Sequence, residues 1–511
     1  MNRLRMIAVL LVLLVPVMAL GAEDPPKDPP KSAPPAHATP IPLPADSTTR
    51  HTLRLGDREL AYEATAGSLP LTDSKGERKA DIFYVAYAVP GAAAATRPIT
   101  FAFNGGPGAA SAYLQLGALG PRVLDVGDTP AEPSQTARLV DNQESWLDLT
   151  DLVFVDPVGT GYSRGVGTED EIAKQFWGVR QDVEAMEAFV RLYLTRTGRL
   201  GSPKFLVGES YGGFRAARLA HALQDDQGIA IAGCFMISPV LEFETMGSSA
   251  YEPMSWALRL PSYAATVLEA EGRLSPEALA DVERFALGDY LTALASGPRD
   301  PAVAARINAA VATFSGLPRE LVDRLQGRIP VNVFIKEFRR ADGRVVSRYD
   351  GSVSIADPFP TSLTPRGGDA VLRGTIAPFT SGFVDYARDE LGFRTDLSYH
   401  LLSNEVAGKW DWRSGIGSSG FAGQGYAGSL DELREALALN PQLRVVVAHG
   451  MTDLITPYFA TRFLIDQLPK LGAAPRVTLK LYPGGHMMYL RGASRGRLHQ
   501  DAGELYRASA G

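Results

Sequence analysis

The sequence feature that most restricts the fold is a Gly-x-Ser-x-Gly motif centred on Ser210. It lies between an apolar segment at 204–207 and a segment of good helix formers at 214–220. Small residues two positions before and after Ser210 allow backbone to pass close to backbone in a sharp turn that exposes the serine hydroxyl. In a chain with 51 glycines the motif alone also arises by chance. Its setting nevertheless predicts a strand, a tight turn with a nucleophilic serine, and a helix.

Short apolar segments alternate with helical segments on both sides of this motif. Further strands are predicted at 81–89, 99–103, 151–155, 233–237, 443–448 and 477–481. Between the third and fourth of these, apolar residues from Val179 to Tyr193 repeat at helical spacing, and Gly198 ends the helix. This alternation predicts an α/β fold with a mostly parallel central sheet and helices on both faces.

The N-terminus has the pattern of a secretory signal peptide at 1–22, with Arg3 and Arg5 before an apolar segment and two small residues at its end. The apolar segment is short for a membrane span and contains Pro16, which favours cleavage. We therefore expect a mature protein that is periplasmic or secreted and not membrane-bound. The further predicted divisions are a Pro-rich linker at 23–46, a first core segment at 47–240, a cap insertion at 241–425 and a second core segment at 426–511.

Composition excludes several kinds of site. The net charge of -6 provides no basic surface for nucleic acid, so the expected partner is a peptide or small molecule. Cys234 is the only cysteine, which rules out an intrachain disulfide and predicts a buried strand residue. Scattered histidines and the lack of a His-x-x-x-His pattern predict neither a metal nor a cofactor. The sequence does not determine the oligomeric state and leaves a homodimer open.

A serine nucleophile needs a base and an orienting carboxylate, and only seven histidines are available. His486 follows the strand at 477–481, and Asp453 follows the strand at 443–448. Each has an ordinary structural alternative, since Asp453 could cap a helix and His486 could be a structural loop residue. The order Ser210, Asp453, His486, each after a strand, is the order of α/β-hydrolases. Together the three residues predict a catalytic triad.

Acyl transfer also requires hydrogen-bond donors for the oxyanion. The backbone N–H of Tyr211 is one candidate because this residue follows the nucleophile. The loop after the strand at 99–103 begins Asn104-Gly105-Gly106 and can supply the second donor, most plausibly the N–H of Gly106. A plain glycine turn is the alternative for this loop. A phosphate loop is excluded because no Gly-Lys-Ser/Thr follows.

Short motifs in both predicted core segments form a set that matches one family. They are Asn104-Gly105-Gly106-Pro107-Gly108, Gly120-Pro121, Ser145-Trp146, Asp156-Pro157-Val158-Gly159-Thr160-Gly161-Tyr162-Ser163, Gly208-Glu209-Ser210-Tyr211-Gly212-Gly213, Asp453 and Gly484-Gly485-His486-Met487. This set resembles the serine carboxypeptidase family, which has the α/β-hydrolase fold. The family carries a helical cap where this chain has its unmatched insertion.

The resemblance implies the same triad and oxyanion donors and adds a site for the C-terminal carboxylate of a peptide, formed by Asn104 and Glu209. Two carboxylates at hydrogen-bond distance cannot both be charged, so this use of Glu209 requires its protonated form. That requirement accounts for the acidic working range of the family. The implied function is hydrolysis of C-terminal residues of peptides through an acyl-enzyme on Ser210.

Two positions depart from the family pattern. The family places a second glutamate just before Leu-Gly-Pro, where this chain has Ala118, and a cysteine after Pro-Gly, where it has Ala109. The incomplete carboxylate site keeps an esterase or acyltransferase of the same fold as an alternative. A catalytically silent binding protein is a third hypothesis, against which the presence of all three triad residues argues.

Ala118 leads to a prediction about substrate selectivity. We expect a weaker preference for a free C-terminal carboxylate than is usual in the family, because one proton-sharing partner is missing. Cleavage rates of a blocked dipeptide acid and of its C-terminal amide measure this preference. A preference for the acid of about a thousandfold or more, equivalent to roughly 4 kcal/mol, would refute the prediction.

Overall fold

The computed structural model describes residues 42–127, 138–247, 249–297, 299–415, 427–472 and 475–509. The described residues from Leu43 onward belong to one structural unit. The predicted signal peptide and nearly all of the predicted linker lie outside the described residues. Among the residues that are described, no helix has both the length and the apolar character needed to cross a bilayer.

A mixed, mostly parallel sheet forms the centre of the fold, as predicted. Its strands are β1 (Ser47–Leu55), β2 (Arg58–Thr72), β3 (Arg78–Ala88), β4 (Ile99–Phe103), β7 (Asp151–Val155), β8 (Arg164–Gly165), β9 (Lys204–Glu209), β10 (Gly233–Ile237), β13 (Arg444–Gly450) and β14 (Val477–Tyr482). The strand order is β1-β2-β3-β7-β4-β9-β10-β13-β14, with β8 paired to β3. The strands from β7 to β14 in this order are parallel, whereas β1, β2 and β3 are antiparallel to their neighbours. Two separate hairpins are formed by β5 (Arg122–Asp125) with β6 (Arg138–Asp141) and by β11 (Arg344–Val346) with β12 (Ser354–Ala356).

The helices surround this sheet. They are α1 (Ala112–Leu114), α2 (Glu169–Phe176), α3 (Val179–Thr197), α4 (Tyr211–Asp225), α5 (Pro253–Ala270), α6 (Ala280–Phe285), α7 (Leu291–Ser296), α8 (Pro301–Ser315), α9 (Arg319–Arg324), α10 (Val331–Glu337), α11 (Ala370–Asp389), α12 (Asn404–Lys409), α13 (Leu430–Leu439), α14 (Tyr458–Asp466) and α15 (Gly492–Ala508). Helices α3, α4 and α13 pack on one face of the sheet, and α11 and α15 pack on the other. Cys234 is buried, as predicted, in the apolar core between the sheet and helices α3, α4 and α13.

The predicted insertion at 241–425 contains helices α5 to α12. Several of these helices share an apolar core that includes Trp256, Tyr263 and Phe334. The same core contains Met451 and Tyr458, which come from the loop and helix after β13. The insertion is therefore packed against the chain segment that carries Asp453.

The two loops that carry the predicted nucleophile and oxyanion donor leave neighbouring strands. Strand β4 pairs with β7 on one side and with β9 on the other, and Phe103 lies opposite Gly208. The next strand of the central sheet in the chain, β7, is added on one side of β4, and the later strand β9 is added on its other side. A crevice at the carboxyl ends of such strands is the usual place for a binding site in open α/β sheets.

A buried ion pair stabilises the region around the loop that follows β4. The Arg215 guanidinium on α4 lies 2.6 Å from an Asp182 carboxylate oxygen on α3, and both side chains are almost fully buried. Arg215 also donates to the backbone carbonyl of Asn104 at 2.7 Å. The pair therefore links two helices to the loop that follows β4.

Replacement of Asp182 by alanine is expected to destabilise the fold strongly, because it leaves the Arg215 charge buried without a partner. The expected cost in the free energy of unfolding is about 3–5 kcal/mol. Asp289→Ala is the matched control, because it breaks an ion pair with Arg306 in which both side chains are 61% exposed. Urea unfolding of the two variants checks this, and equal midpoints would contradict the expected difference.

Candidate active site

Ser210 lies on the sharp turn between β9 and α4 that the motif predicts. Its φ of 58° and ψ of -122° are rare for a residue with a side chain, and its backbone N–H donates to the carbonyl of Ile237 at 2.9 Å. A Cβ atom at Gly208 would lie 1.9 Å from the Gly212 carbonyl oxygen, and one at Gly212 would lie 2.4 Å from the Phe103 carbonyl oxygen. Both glycines are therefore required by the close approach of backbone to backbone.

Asp453 and His486 form a direct hydrogen bond, as expected for the acid and base of a triad. The distance from His486 Nδ1 to Asp453 Oδ2 is 2.8 Å, and both side chains are buried. Because an ionised carboxylate can only accept, this bond places a proton on Nδ1 and leaves Nε2 as the basic nitrogen. Glu209, the residue before Ser210, interacts electrostatically with both side chains. The structure thus gathers the residues after β9, β13 and β14 at one edge of the sheet.

Asp453 does not cap α14, whose N-cap residue is Pro457, but its carboxylate does stabilise the turn before that helix. Its Oδ1 atom accepts the N–H groups of Ile455 at 2.8 Å and Thr456 at 3.0 Å, which closes the turn before α14. The Thr456 hydroxyl lies 2.8 Å from Asp453 Oδ2 and 3.1 Å from His486 Nδ1. One carboxylate oxygen therefore fixes the turn while the other faces the imidazole.

Two opposing effects determine the pKa of His486. Burial lowers the pKa because it disfavours the charged imidazolium, whereas the charge and hydrogen bond of Asp453 raise it, with a smaller contribution from Glu209. The net result is a pKa above the ordinary value of histidine. The imidazole is therefore a stronger base than free histidine, which suits proton removal from a serine hydroxyl.

The loop after β4 lies against the start of α4, where the second oxyanion donor is predicted. A Cβ atom at Gly105 would lie 2.5 Å from the Tyr211 backbone nitrogen, so no side chain fits there. Gly106 follows with a φ of 99°. The predicted donors, the N–H groups of Gly106 and Tyr211, are thus carried by two segments in contact.

Asn104 and Glu209, the predicted carboxylate-binding pair, are buried and hydrogen-bonded to each other through the Asn104 amide. The amide oxygen of Asn104 accepts the N–H of Leu114 at 3.0 Å, which fixes the orientation of the amide. Burial raises the pKa of Glu209 to about 7. A pKa in this range leaves Glu209 mostly protonated below neutral pH, the form that its predicted role requires.

Sequence reasoning missed several residues of this site. The hydroxyl of Tyr489 lies 3.0 Å from both carboxylate oxygens of Glu209. From the insertion, the carbonyl of Tyr349 accepts the N–H of His486 at 2.6 Å, and Asp350 accepts the Thr452 hydroxyl at 2.7 Å. Tyr489 lies only three residues after His486, so proximity in sequence could have indicated it. The insertion residues carry no motif that could have done so.

No group of three or more His, Cys, Asp or Glu side chains arranged to hold a metal ion is found in the described ranges. Ala118, where the family has a glutamate, is buried, and its carbonyl accepts the Asn142 amide at 2.8 Å. The carboxylate of Glu209 therefore has an amide and a phenol as its side-chain hydrogen-bond partners in the part of the chain that is described.

Comparisons with known proteins identify a family and a fold that this chain resembles. Residues 57–260 match the family model "Serine carboxypeptidase". A probable serine carboxypeptidase of Arthroderma benhamiae is 31% identical over 175 residues, which is 32% of this chain and 29% of the relative. The venom serine carboxypeptidase of Apis mellifera is 32% identical over 133 residues, 25% of this chain and 26% of the relative. The matched segments span less than a third of these relatives.

A solved structure of Kex1, a prohormone-processing carboxypeptidase of Saccharomyces cerevisiae, is similar in fold. It is 16% identical, with a TM-score of 0.52, and the match covers 86% of this chain and 91% of that protein. The α/β-hydrolase fold is thus confirmed, and the resemblance to the serine carboxypeptidase family is confirmed over residues 57–260. Asp453 and His486 lie outside that segment, so their assignment depends on chain order and geometry.

The Asp453–His486 bond leads to a prediction with a defined sign. His486 must be neutral to act as a base, so turnover of an ester substrate is expected to fall as the pH decreases through the pKa of His486. Asp453→Asn removes the charge that raises this pKa, so the acidic limb should move to lower pH while the rate drops by roughly 10⁴-fold. Stopped-flow or steady-state ester hydrolysis from pH 4 to 9 measures both changes.

Asp151→Asn is the control for this measurement. Asp151 is also a buried carboxylate, but it lies at the start of β7, at the opposite edge of the sheet. Its replacement should leave the position of the acidic limb unchanged. An unshifted limb in Asp453→Asn would remove Asp453 from the proposed triad.

Proposed function

We propose that this protein is a serine-type carboxypeptidase that removes C-terminal residues from peptides through an acyl-enzyme on Ser210. The observation that carries the proposal is the buried pair of Asn104 and Glu209 directly beside the predicted nucleophile. A general esterase needs the triad and the oxyanion donors but has no use for a raised-pKa carboxyl group at this place. The family match over residues 57–260 supports the same conclusion.

In the proposed mechanism, His486 Nε2 accepts the Ser210 proton as the serine oxygen attacks the last peptide carbonyl. Asp453 keeps the proton on Nδ1 and stabilises the imidazolium that forms. The N–H groups of Gly106 and Tyr211 bind the negative oxygen of the tetrahedral intermediate. The imidazolium then gives its proton to the leaving amine, which departs as the free C-terminal amino acid. Water, deprotonated by His486, hydrolyses the acyl-enzyme.

The C-terminal carboxylate of the peptide would be bound by the Asn104 amide and by a protonated Glu209. The pKa of Glu209, raised by burial to about 7, keeps this carboxyl group largely neutral below neutral pH. As the pH rises through this value, Glu209 becomes charged and repels the substrate carboxylate. Peptides with a free C-terminal carboxylate should therefore be cleaved best on the acidic side of neutrality. Cleavage of the corresponding C-terminal amides should not depend on the charge of Glu209 in this way.

If the predicted signal peptide at 1–22 is cleaved on export, the proposed reaction would take place in the periplasm or outside the cell. There the substrate would be a free peptide. The proposed chemistry requires neither a metal nor an organic cofactor, because the nucleophile, base and electrophilic donors all come from the chain.

Ala118 favours a second candidate function, that of an esterase or acyltransferase. The oxyanion site serves esters as well as peptides, and the second glutamate expected near the substrate carboxylate is absent. The two candidates differ in whether a free C-terminal carboxylate improves the substrate.

Digestion of a mixed peptide pool at several pH values tests the proposal. We expect successive losses of single C-terminal residues, most rapid below pH 7, read by mass spectrometry. Peptides with blocked N-termini should be shortened equally well, because the proposed site recognises only the C-terminal end. Internal cleavage, or trimming from the N-terminus, would contradict the proposed exopeptidase.

Two controls separate the alternatives. Ser210→Ala should retain its circular dichroism spectrum, because only an oxygen at a turn is lost, and should yield no shortened peptides. A fluorophosphonate probe should label the unmodified protein at Ser210 and leave this variant unlabelled. Labelling with ester turnover but without peptide shortening identifies the esterase. Absence of labelling identifies a binding protein.

A further inference from the structure

Tyr489 contacts the carboxylate of Glu209 directly. Its hydroxyl lies 3.0 Å from both Oε1 and Oε2, and the side chain is fully buried. The Asn104 amide donates to Oε2 of the same group. Glu209 therefore receives two neutral donors, and its side chain is buried.

The ring of Tyr489 fits here because of a glycine in the turn after α1. A Cβ atom at Gly117 would lie 2.8 Å from Tyr489 Cε2 and 3.3 Å from Phe379 Cζ. The next residue is Ala118, where the family resemblance implies a glutamate. The lack of a side chain at Gly117, the residue before Ala118, thus leaves room for the phenol ring.

We propose that Tyr489 is a positioning residue that sets the protonation of Glu209 and thereby the pH range in which the site accepts a peptide C-terminal carboxylate. This inference depends on the proposed function. A second carboxyl group would share a proton with Glu209 and favour its neutral form. A phenol donates to a charged Glu209 and keeps its own proton over the working pH range, because burial and Glu209 hold the pKa of Tyr489 well above its ordinary value. Tyr489 therefore stabilises the charged form.

The effect of Tyr489 opposes the effect of burial. Burial raises the pKa of Glu209, and the hydrogen bonds from Tyr489 and Asn104 lower it. Among the neighbouring ionisable groups, charged His486 also lowers this pKa and Asp453 raises it, while Tyr113 and Tyr349 are uncharged phenols below pH 10. Removal of the Tyr489 hydroxyl leaves all these other groups in place. Replacement of Tyr489 by phenylalanine therefore tests the hydrogen bonding of this one hydroxyl to Glu209.

Tyr489→Phe tests the proposal by the pH dependence of kcat/KM. For a blocked dipeptide acid, the alkaline limb should move up by about one pH unit, because a hydrogen bond to a charged carboxylate is lost. For the matching ester, which does not need a neutral Glu209, the limbs should stay in place. Site-specific 3-fluorotyrosine at position 489, a stronger donor, should move the limb for the acid in the opposite direction.

Tyr113→Phe is the matched control. Tyr113 is a buried tyrosine near the same carboxylate, but its hydroxyl has no hydrogen bond to Glu209. For the blocked dipeptide acid, the alkaline limb of the Tyr113→Phe variant should coincide with that of the unmodified protein. Equal losses of acid and ester turnover in Tyr489→Phe, without any movement of a limb, would show a merely structural role and overturn the proposal.

An infrared titration separates this inference from the proposed function. The stretching band of a protonated carboxyl group, absent from a Glu209→Gln variant, reports the charge of Glu209 without any turnover. In Tyr489→Phe the band should persist to higher pH than in the unmodified protein, even if no peptide is cleaved. A band that titrates at the same pH in both proteins overturns the role assigned to Tyr489.

Discussion

The hydrogen bond between Asp453 and His486 is the interaction on which the site depends, and it is formed out of contact with water. A buried carboxylate is stable only when its oxygens receive enough donors. Asp453 meets this condition through the backbone N–H groups of Ile455 and Thr456, through the Thr456 hydroxyl and through the imidazole. The loop after β13 must therefore keep one conformation, because any other would leave a buried charge without partners.

The insertion fixes that conformation, so it does more than cover the sheet. The N–H of Gly351 donates to the Thr452 carbonyl at 2.9 Å, and the N–H of Leu454 donates to the Arg348 carbonyl at 3.1 Å. The Tyr349 carbonyl accepts the N–H of His486. One short segment of the insertion thus holds the acid loop and the imidazole loop together. The geometry of the proposed triad is coupled to the folding of the insertion, whose apolar core also includes Met451.

The sequence predicted the centre of the fold better than its edge, for a physical reason. Strands β4, β7 and β10 have the bounds predicted for them, because strands buried on both faces are continuous apolar segments ended by Gly, Pro or polar residues. Strands β1 and β2 were missed. They lie at the antiparallel edge of the sheet, and the Ser47–Leu55 segment alternates between more and less exposed residues, with polar side chains at most positions.

The same distinction applies to the site. Ser210, Asp453 and His486 follow strands, so chain order alone predicts that they meet at one edge of the sheet, although their catalytic roles stay predictions. Tyr489 is close to His486 in sequence, but its hydrogen bond to Glu209, like that of Asp350 to Thr452, joins segments far apart in the chain, which no local pattern encodes. A tyrosine among apolar residues has the pattern of an ordinary core residue, and only the position of its hydroxyl indicates another role.

Glu209 and Asp453 show how one site can use two carboxyl groups for opposite purposes. Asp453 receives backbone donors and a partner that can become a cation, which suits a group that must stabilise positive charge on His486. Among the described residues, Glu209 receives side-chain hydrogen bonds from an amide and a phenol, and burial raises its pKa to about 7. A neutral carboxyl group can donate to a substrate carboxylate, whereas a charged one would repel it. The difference in donors, more than the difference in residue type, therefore supports the proposal that proton abstraction takes place at one end of the site and recognition of the peptide terminus at the other.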